Sequence, residues 1–387
     1  MKQGWEDKKL MEIADVSTGK YDANHANDHG IYRFYTCAYN HVMCNTNRFS
    51  GESLILPGNG VNVGEVFYYD GEFDAYQRTY IINKIKIFPR YLHYHMLLYW
   101  KELGTKLQYG SATNFIKIGN FQNYDVSYPP LYEQQSIVAI LDTAFVAIAK
   151  AKANAEQNLK NAKELFESYL QGVFENKGDG WEENMLGELA DEKCTLSYGI
   201  VQPGDEYTDG IPVIRPTDLK SKFICVDGLK RIDPKLADGY KRTKLIGDEL
   251  LLCVRGSTGI VSIALKELEG ANVTRGIVPI RFNTKLVNQD FGYYLLISNY
   301  IQKQIRAKTY GAALMQINIG DLRKILTPYP SIKEQQIIVQ KLDALSLETK
   351  KLEAIYQQKI NDLEELKKSV LQKAFAGELK TKKAVAV

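Results

Sequence analysis

The residues best suited to covalent or metal chemistry are spaced so that they cannot perform it. The five cysteines, Cys37, Cys44, Cys194, Cys225 and Cys253, form no Cys-x-x-Cys pair and join no histidine cluster. Neither a zinc site nor a disulfide framework is therefore encoded, and ordinary buried thiols are expected. The five histidines, His93 and His95 among them, show no metal-ligand spacing and no pairing with a nucleophile, so they are expected to be structural or surface residues. An adenine methyltransferase would need a cofactor loop between a strand and a helix, and an Asp/Asn/Ser-Pro-Pro-aromatic motif around a flipped base. Here Gly58-Asn59-Gly60 leads into another strand-like run, Val63 to Tyr69, while Tyr128-Pro129-Pro130-Leu131 has the prolines without the flanking chemistry. No Gly-x4-Gly-Lys-Ser/Thr phosphate loop is present, so ATP-driven motion is not encoded either. No carboxylate cluster beside a lysine marks a nuclease centre. What the chain does carry is hydrogen-bonding side chains on glycine-rich turns, PGNGVNVG from Pro57 to Gly64 and CVRGSTG from Cys253 to Gly259.

Those two turns belong to a chain that is written twice. GWEDKKLMEIAD, from Gly4 to Asp15, returns 176 residues later as GWEENMLGELAD, from Gly180 to Asp191. GESLIL at Gly51 returns as GDELLL at Gly247, an offset of 196, and each copy runs into its glycine-rich turn. PPLYEQQSIVAILD, from Pro129 to Asp142, returns as YPSIKEQQIIVQKLD, from Tyr329 to Asp343, at an offset of 201. Landmarks kept in order while the offset grows mean a duplication with insertions in the second copy.

Each copy closes on a long amphipathic run. Ile137, Leu141, Phe145, Ile148, Ala155, Leu159, Ala162, Phe166, Tyr169 and Val173 recur at helical spacing, as do Ile338, Leu342, Leu345, Leu352, Tyr356, Leu363, Leu366 and Val370. Both runs open after proline, and the first ends in Gly178-Asp179-Gly180. About forty residues at 1.5 Å each make a rod of roughly 60 Å, longer than a globule of this size can cover. Pairing the two rods antiparallel would bury both seams. Within the globules, Ser53–Leu56, Glu65–Tyr69, Tyr80–Ile87, Glu249–Val254 and Gly276–Phe282 are short, β-rich and bounded by turn residues. Helices are expected over Leu92–Leu107 and Asp290–Arg306. The expected fold is α/β (α+β): two tandem mixed α/β domains, 1–130 and 179–329, separated by two long antiparallel coiled-coil helices, 131–178 and 330–380, with pseudo-two-fold symmetry and a disordered tail at 381–387.

With 387 residues, 45% of them hydrophobic, the chain can bury two or three cores. No apolar tract spans a bilayer, and a cytoplasmic location is expected. Net charge is only +3, with 13 basic against 13 acidic residues in 1–128 and 20 against 19 in 179–329. A protein gripping nucleic acid alone usually carries a clearer basic excess.

Two β-rich domains, each closing on a P-x-x-x-E-Q-Q-x-I-V-x-x-L-D helix start, resemble the specificity subunits of type I restriction-modification systems over essentially the whole chain. IPVIRPTDL at Ile211, LLCVRGSTGIV at Leu251 and YGAALMQINIGDL at Tyr310 look like the same family; the first copy follows more loosely, with GIYRFYTCAYN at Gly30 and no arginine in its turn. The resemblance implies a non-catalytic, sequence-specific DNA-recognition subunit. Each domain would be a target recognition domain reading one half of a bipartite site in double-stranded DNA, with the rods as a ruler for the gap. It further implies two modification (methyltransferase) subunits as partners, S-adenosylmethionine in those partners and no cofactor here, and restriction subunits where the system has them. The alternative is a coiled-coil DNA-binding or scaffold protein acting without a methyltransferase, which would dimerise between chains instead of pairing its own helices.

Reading bases calls for arginine toward guanine, asparagine or glutamine toward adenine, and small hydroxyls or tyrosine beside them. In the second domain these residue types single out Arg255, Ser257 and Thr258, then Asn272, Thr274 and Arg275, and also Arg215. In the first they single out Asn59 and Asn62, Gln77 and Arg78, and also Arg33 and Tyr35. The plain competing role for these turns is to connect hairpins, with Arg78 or Arg275 paired to an acidic neighbour. Tyr109 to Thr113 and Tyr310 to Ala313, before the strand that leads into each rod, suggest a close backbone approach, to DNA or to the domain's own sheet, with internal packing the expected one of the two.

Overall fold

The computed structural model describes residues 4–106, 114–312 and 314–379, and divides into two compact units, Met1–Glu156 with Gln357–Val387, and Gln157–Tyr356. Tyr109 to Thr113, Ala313 and the 381–387 tail lie outside the described residues.

In the first unit the ends of the globule are tied by an antiparallel ribbon, Glu6–Lys9 against Asp125–Tyr128. Between them lie a four-stranded antiparallel sheet, in the order Asp15–Thr18, Thr79–Asn83, Ser53–Pro57, Phe67–Tyr69, and a mixed sheet of Val42–Cys44, Tyr32–Tyr35 and Phe73–Ala75. Within that mixed sheet Tyr32–Tyr35 and Phe73–Ala75 run parallel, and Tyr32–Tyr35 and Val42–Cys44 antiparallel. The helix Pro89–Lys106 covers the larger sheet, with Tyr91, Leu92, Met96 and Trp100 fully buried.

The second unit repeats this plan. Its ribbon is Glu182–Met185 against Leu326–Tyr329, its antiparallel sheet Val261–Ile263, Leu250–Cys253, Ile277–Ile280, and its mixed sheet Lys230–Ile232, Ile211–Ile214, Asn272–Val273 with the last pair parallel. The strand expected to match Asp15–Thr18 shrinks to a single bridge, Ala190 to Phe282. Strand positions expected from sequence are recovered with trimmed ends: Tyr80–Ile87 becomes Thr79–Asn83, and Glu65–Tyr69 becomes Phe67–Tyr69. The helix expected over Asp290–Arg306 is two helices, Gln289–Ile297 and Asn299–Lys308. Ser298 breaks it: its backbone is extended, its hydroxyl donates to Leu295 O at 2.6 Å, and its side chain caps the next helix at Ile301 N.

The long helices are Leu131–Glu175 and Ile332–Ala376, 45 residues each. Within the first unit they run antiparallel and pack together: Lys152 pairs with Glu364, and Lys367 Nζ lies 5.2 Å from the Phe145 ring centre. Ile137, Leu141, Ile148, Ala155 and Ala162 are buried as expected, but Tyr169 and Leu366 are exposed while Leu170, Phe174, Leu371 and Phe375 are buried. An α-helix drifts about 20° per heptad against a strict 3.5-residue repeat, so toward each helix end the buried stripe moves onto the globule. Of the cysteines, Cys44, Cys194 and Cys253 are buried; Cys37 is half-buried and Cys225 is exposed, contrary to expectation.

The E-Q-Q-x-I-V-x-x-L-D start seats each globule on its helix. Gln134 Nε2 donates to Pro129 O (2.8 Å) while its Oε1 accepts from Phe88 N (2.8 Å). Gln335 does the same with Pro330 O (2.8 Å) and Asn288 N (2.7 Å), and adds Leu286 O at 2.8 Å. Two turns on, Asp142 accepts from Tyr94 (2.5 Å) and Arg90 (2.7 Å), and Asp343 from Tyr294 (2.5 Å) and Lys222 (3.1 Å). Burial, with the Asp142 carboxylate beside it, pushes the Tyr94 hydroxyl up to about 12.

Candidate nucleic-acid interface

The glycine-rich turns close the same loop junction in both units. In the first, Gly58 N donates to Arg78 O (2.9 Å), Ile116 N to Gly58 O (2.9 Å), Gly60 N to Asn114 O (2.8 Å) and Gln77 N to Tyr21 O (2.9 Å). In the second, Val254 N donates to Gly276 O (2.8 Å), Ile317 N to Val254 O (3.0 Å), Gly256 N to Met315 O (2.8 Å) and Arg275 N to Ile200 O (2.8 Å). Gly60 and Gly256 share a φ of +84°, open to glycine and strained for other residues. This matching makes Asn59 the counterpart of Arg255, Gln77 of Arg275, and Arg78 of Gly276. The junctions gather residues that stand far apart in sequence onto one end of each sheet.

The side chains at these junctions differ in how far the fold already uses them. Arg255 is half-buried with its Nε shielded and unbonded, and among the described residues its guanidinium has no ion-pair partner. Ser257 is exposed and Thr258 half-buried on the same turn. Arg275 and Arg78 are exposed, and among the described residues neither guanidinium is paired to an acidic neighbour. Asn59 is half-buried and forms a bridge with Phe115, the counterpart of the Arg255–Gln316 bridge. Gln77 is exposed and donates to Asp22 at 2.5 Å, and Asn62 donates to Cys37 O at 2.8 Å. Thr274 is half-buried, its hydroxyl on Ile214 O at 3.3 Å.

Four expected readers are occupied elsewhere. Asn272 is 1% exposed; its Oδ1 accepts from Thr243 at 2.7 Å and its Nδ2 donates to Tyr240 O at 3.2 Å. Its counterpart is the buried Asp74, held by Thr46 at 2.6 Å, so this position ties the mixed sheet together in both units. Arg215 forks onto Asp218, Nε at 3.1 Å and Nη2 at 3.0 Å, and the carboxylate holds the guanidinium firmly charged. Arg33 lies 4.3 Å over the Tyr69 ring with its Nη1 on Tyr35 OH at 3.3 Å, and Tyr35 is buried. Backbone pairing also makes Thr36, one residue past Tyr35, the counterpart of Arg215: Tyr76 N donates to Tyr35 O as Thr274 N does to Ile214 O.

The junctions also contain residues not singled out from sequence. Tyr310 and Gln316 exchange two backbone hydrogen bonds (2.9 and 2.8 Å), and the Tyr310 hydroxyl donates to Asn318 at 2.5 Å. Leu314 and Met315 stand 46% and 44% exposed beside the Arg255 turn. YGAALMQINIGDL carried the signal, but its small residues pointed inward. At Gly311 a Cβ would meet Leu314 O at 2.3 Å, a close approach within the loop itself. Among the described residues no group of His, Cys, Asp and Glu could hold a metal ion, and no helix is long and apolar enough to cross a membrane.

A family model for the type I restriction modification DNA specificity domain matches this chain twice, over residues 2–159 and 178–365. The chain belongs to that family. Two specificity subunits of Escherichia coli type I restriction enzymes are similar to it. The EcoBI subunit is 28% identical over 273 residues, 65% of this chain and 57% of that one. The EcoDI subunit is 26% identical over 411 residues, 97% of this chain and 88% of that one. A solved chain from work on complex assembly and conformational transition of the type I R-M system matches with a TM-score of 0.75 at 17% identity, covering 97% of this chain and 99% of that one. The shared fold is two mixed α/β globules with two long helices packed together. This type I specificity subunit therefore recognises DNA and contributes no catalytic centre.

Proposed function

We propose that each globule reads one half of a bipartite DNA target through its loop junction, and that the two halves differ in sequence. The observation that carries this reading is the Arg255 guanidinium: half-buried, without an ion-pair partner among the described residues, and on the same junction as Ser257, Thr258 and Arg275, where the turn's backbone is duplicated around Asn59 in the first unit. A guanidinium held this way suits bidentate contact with guanine in the major groove, and an amide in the same place suits adenine. Gln77, Arg78 and Asn62 would support the first half-site, and Thr274 and Arg275 the second. Arg215, Arg33, Tyr35 and Asn272 would hold the reading loops in shape.

Two modification subunits, which carry the S-adenosylmethionine, would supply most phosphate contacts; restriction subunits would join the same assembly. The near-neutral charge of both globules supports that division, because sequence-independent affinity for DNA comes from neutralising phosphates. Methylome sequencing of cells carrying the cognate modification subunit, with and without this chain, tests the proposal. A split, asymmetric methylated motif should appear only with the chain. Methylation unchanged by its loss would point to the scaffold alternative.

A further inference from the structure

The end of each long helix meets the first ribbon of a globule in a nest of matching residues. The ribbon registers pair Glu6 with Tyr128 and Glu182 with Tyr329, each pair also joined by a tyrosine hydroxyl donating to the glutamate (3.1 and 2.9 Å), so Trp5 and Asp7 correspond to Trp181 and Glu183. Gly64 faces Lys101 as Gly259 faces Gln302, which makes Tyr99, two residues earlier, the counterpart of Tyr300. Phe375 packs on Tyr91 (5.3 Å between ring centres) as Phe174 packs on Phe291 (5.6 Å).

In the second unit this nest is filled by the chain itself. Lys177, third after Phe174, sets its Nζ 4.1 Å over the Tyr300 ring and donates to Glu183 at 2.9 Å, while the Tyr300 hydroxyl donates to the same carboxylate oxygen at 2.6 Å. The Tyr300 hydroxyl and Lys177 together hold the Glu183 carboxyl below its usual range. In the first unit the third residue after Phe375 is Glu378, which has no positive charge to offer. There Trp5, Asp7, Tyr99, Glu102 and Phe375 line a cavity of about 440 Å3. Asp125, on its wall, is neutralised by Lys9 at 2.7 Å, whereas Asp7 has no ion-pair partner among the described residues.

We propose that this cavity binds an alkylammonium group, the side chain of a lysine, between the Tyr99 ring and the Asp7 carboxylate, where Lys177 lies in the second unit. An aromatic face beside a carboxylate favours a cation that keeps both contacts at once. Two sources offer that chemistry: this chain's own Lys380, Lys382 and Lys383, and a lysine of another protein. The site is independent of DNA reading, so its failure would leave that proposal standing.

Calorimetric titration of the full chain with n-butylammonium chloride, at constant ionic strength, provides the test. It is run on the natural chain and on a Lys380→Ala, Lys382→Ala, Lys383→Ala variant. Saturable binding to the triple variant is expected. Added to that variant, Asp7→Asn should weaken binding by about tenfold or more, Asp7→Glu should retain it, and Glu378→Lys should abolish it by placing a lysine where Lys177 lies. Tighter binding to the triple variant than to the natural chain would identify the chain's own lysines as the occupant; equal binding would assign the site to a lysine of another protein. No saturable binding to the triple variant, or binding indifferent to Asp7→Asn, would overturn the proposal.

Discussion

The turn at Gly58–Asn62 and the turn at Val254–Thr258 hold the same backbone hydrogen bonds and present different chemistry. Asn59 stands where Arg255 does, Gln77 where Arg275 does, Arg78 where Gly276 does, and Tyr76 where Thr274 does. Where the fold needs a residue for itself the copies agree in role. Asp74 and Asn272 are both buried and both held by a threonine, and Gln134 and Gln335 both clamp a helix start. Variation is concentrated at the junction side chains and conservation of role lies beneath them, which is the pattern expected of two readers with different targets.

The clamps give the largest expected effect and test whether the copies are energetically equal. Gln335 is 0% exposed and serves three backbone groups, while Gln134 is 3% exposed and serves two. A buried polar group left unpaired costs about 1–3 kcal/mol. Gln335→Ala should therefore destabilise the second unit by roughly 3–5 kcal/mol, and Gln134→Ala should destabilise the first by less, as read from unit-resolved hydrogen exchange. Equal losses would break the comparison.

A smaller effect separates the units by pH. Burial holds His93 down at about 4 from its usual 6.5, and its counterpart in the second unit is Tyr293, which has no charge to gain in that range. Because the folded form binds its proton less readily than the unfolded form, His93 contributes fully to stability above pH 6.5, and the contribution is lost as pH falls toward 4. At about 1.4 kcal/mol per tenfold change in proton affinity, the loss is of the order of 2–3 kcal/mol, confined to the first unit. Hydrogen exchange at pH 7 and pH 4.5 should show this loss, and His93→Phe should remove it.

The duplication, the two long helices and the mixed α/β class were legible because they are written in local order: repeated landmarks, apolar spacing, and glycine or proline at the boundaries. The helix break at Ser298 was not, since it depends on a hydroxyl satisfying the carbonyl of Leu295 inside the core. The junction residues were half legible. Arg255, Ser257 and Arg275 declare themselves by type and by their turns, yet Asn272 has the same polar signature and is spent on Thr243 and Tyr240. Gln316 and Tyr310 reach the Arg255 turn through pairing across some sixty residues of chain, so the YGAALMQINIGDL stretch was visible as a motif without showing that these two join the junction. The E-Q-Q start was visible as a repeated motif, but its work as a clamp depends on carbonyls and amides from distant loops.

The central claim is that the two junctions read separate halves of one target. The direct test is methylome sequencing in cells that carry the modification subunit with Arg255→Ala or Asn59→Ala in place of the natural chain. Losing a good base contact costs about 1–3 kcal/mol of discrimination, so each substitution should relax the methylated motif in one half only, and the two should relax opposite halves. Relaxation of both halves by either substitution, or of the same half by both, would contradict the account.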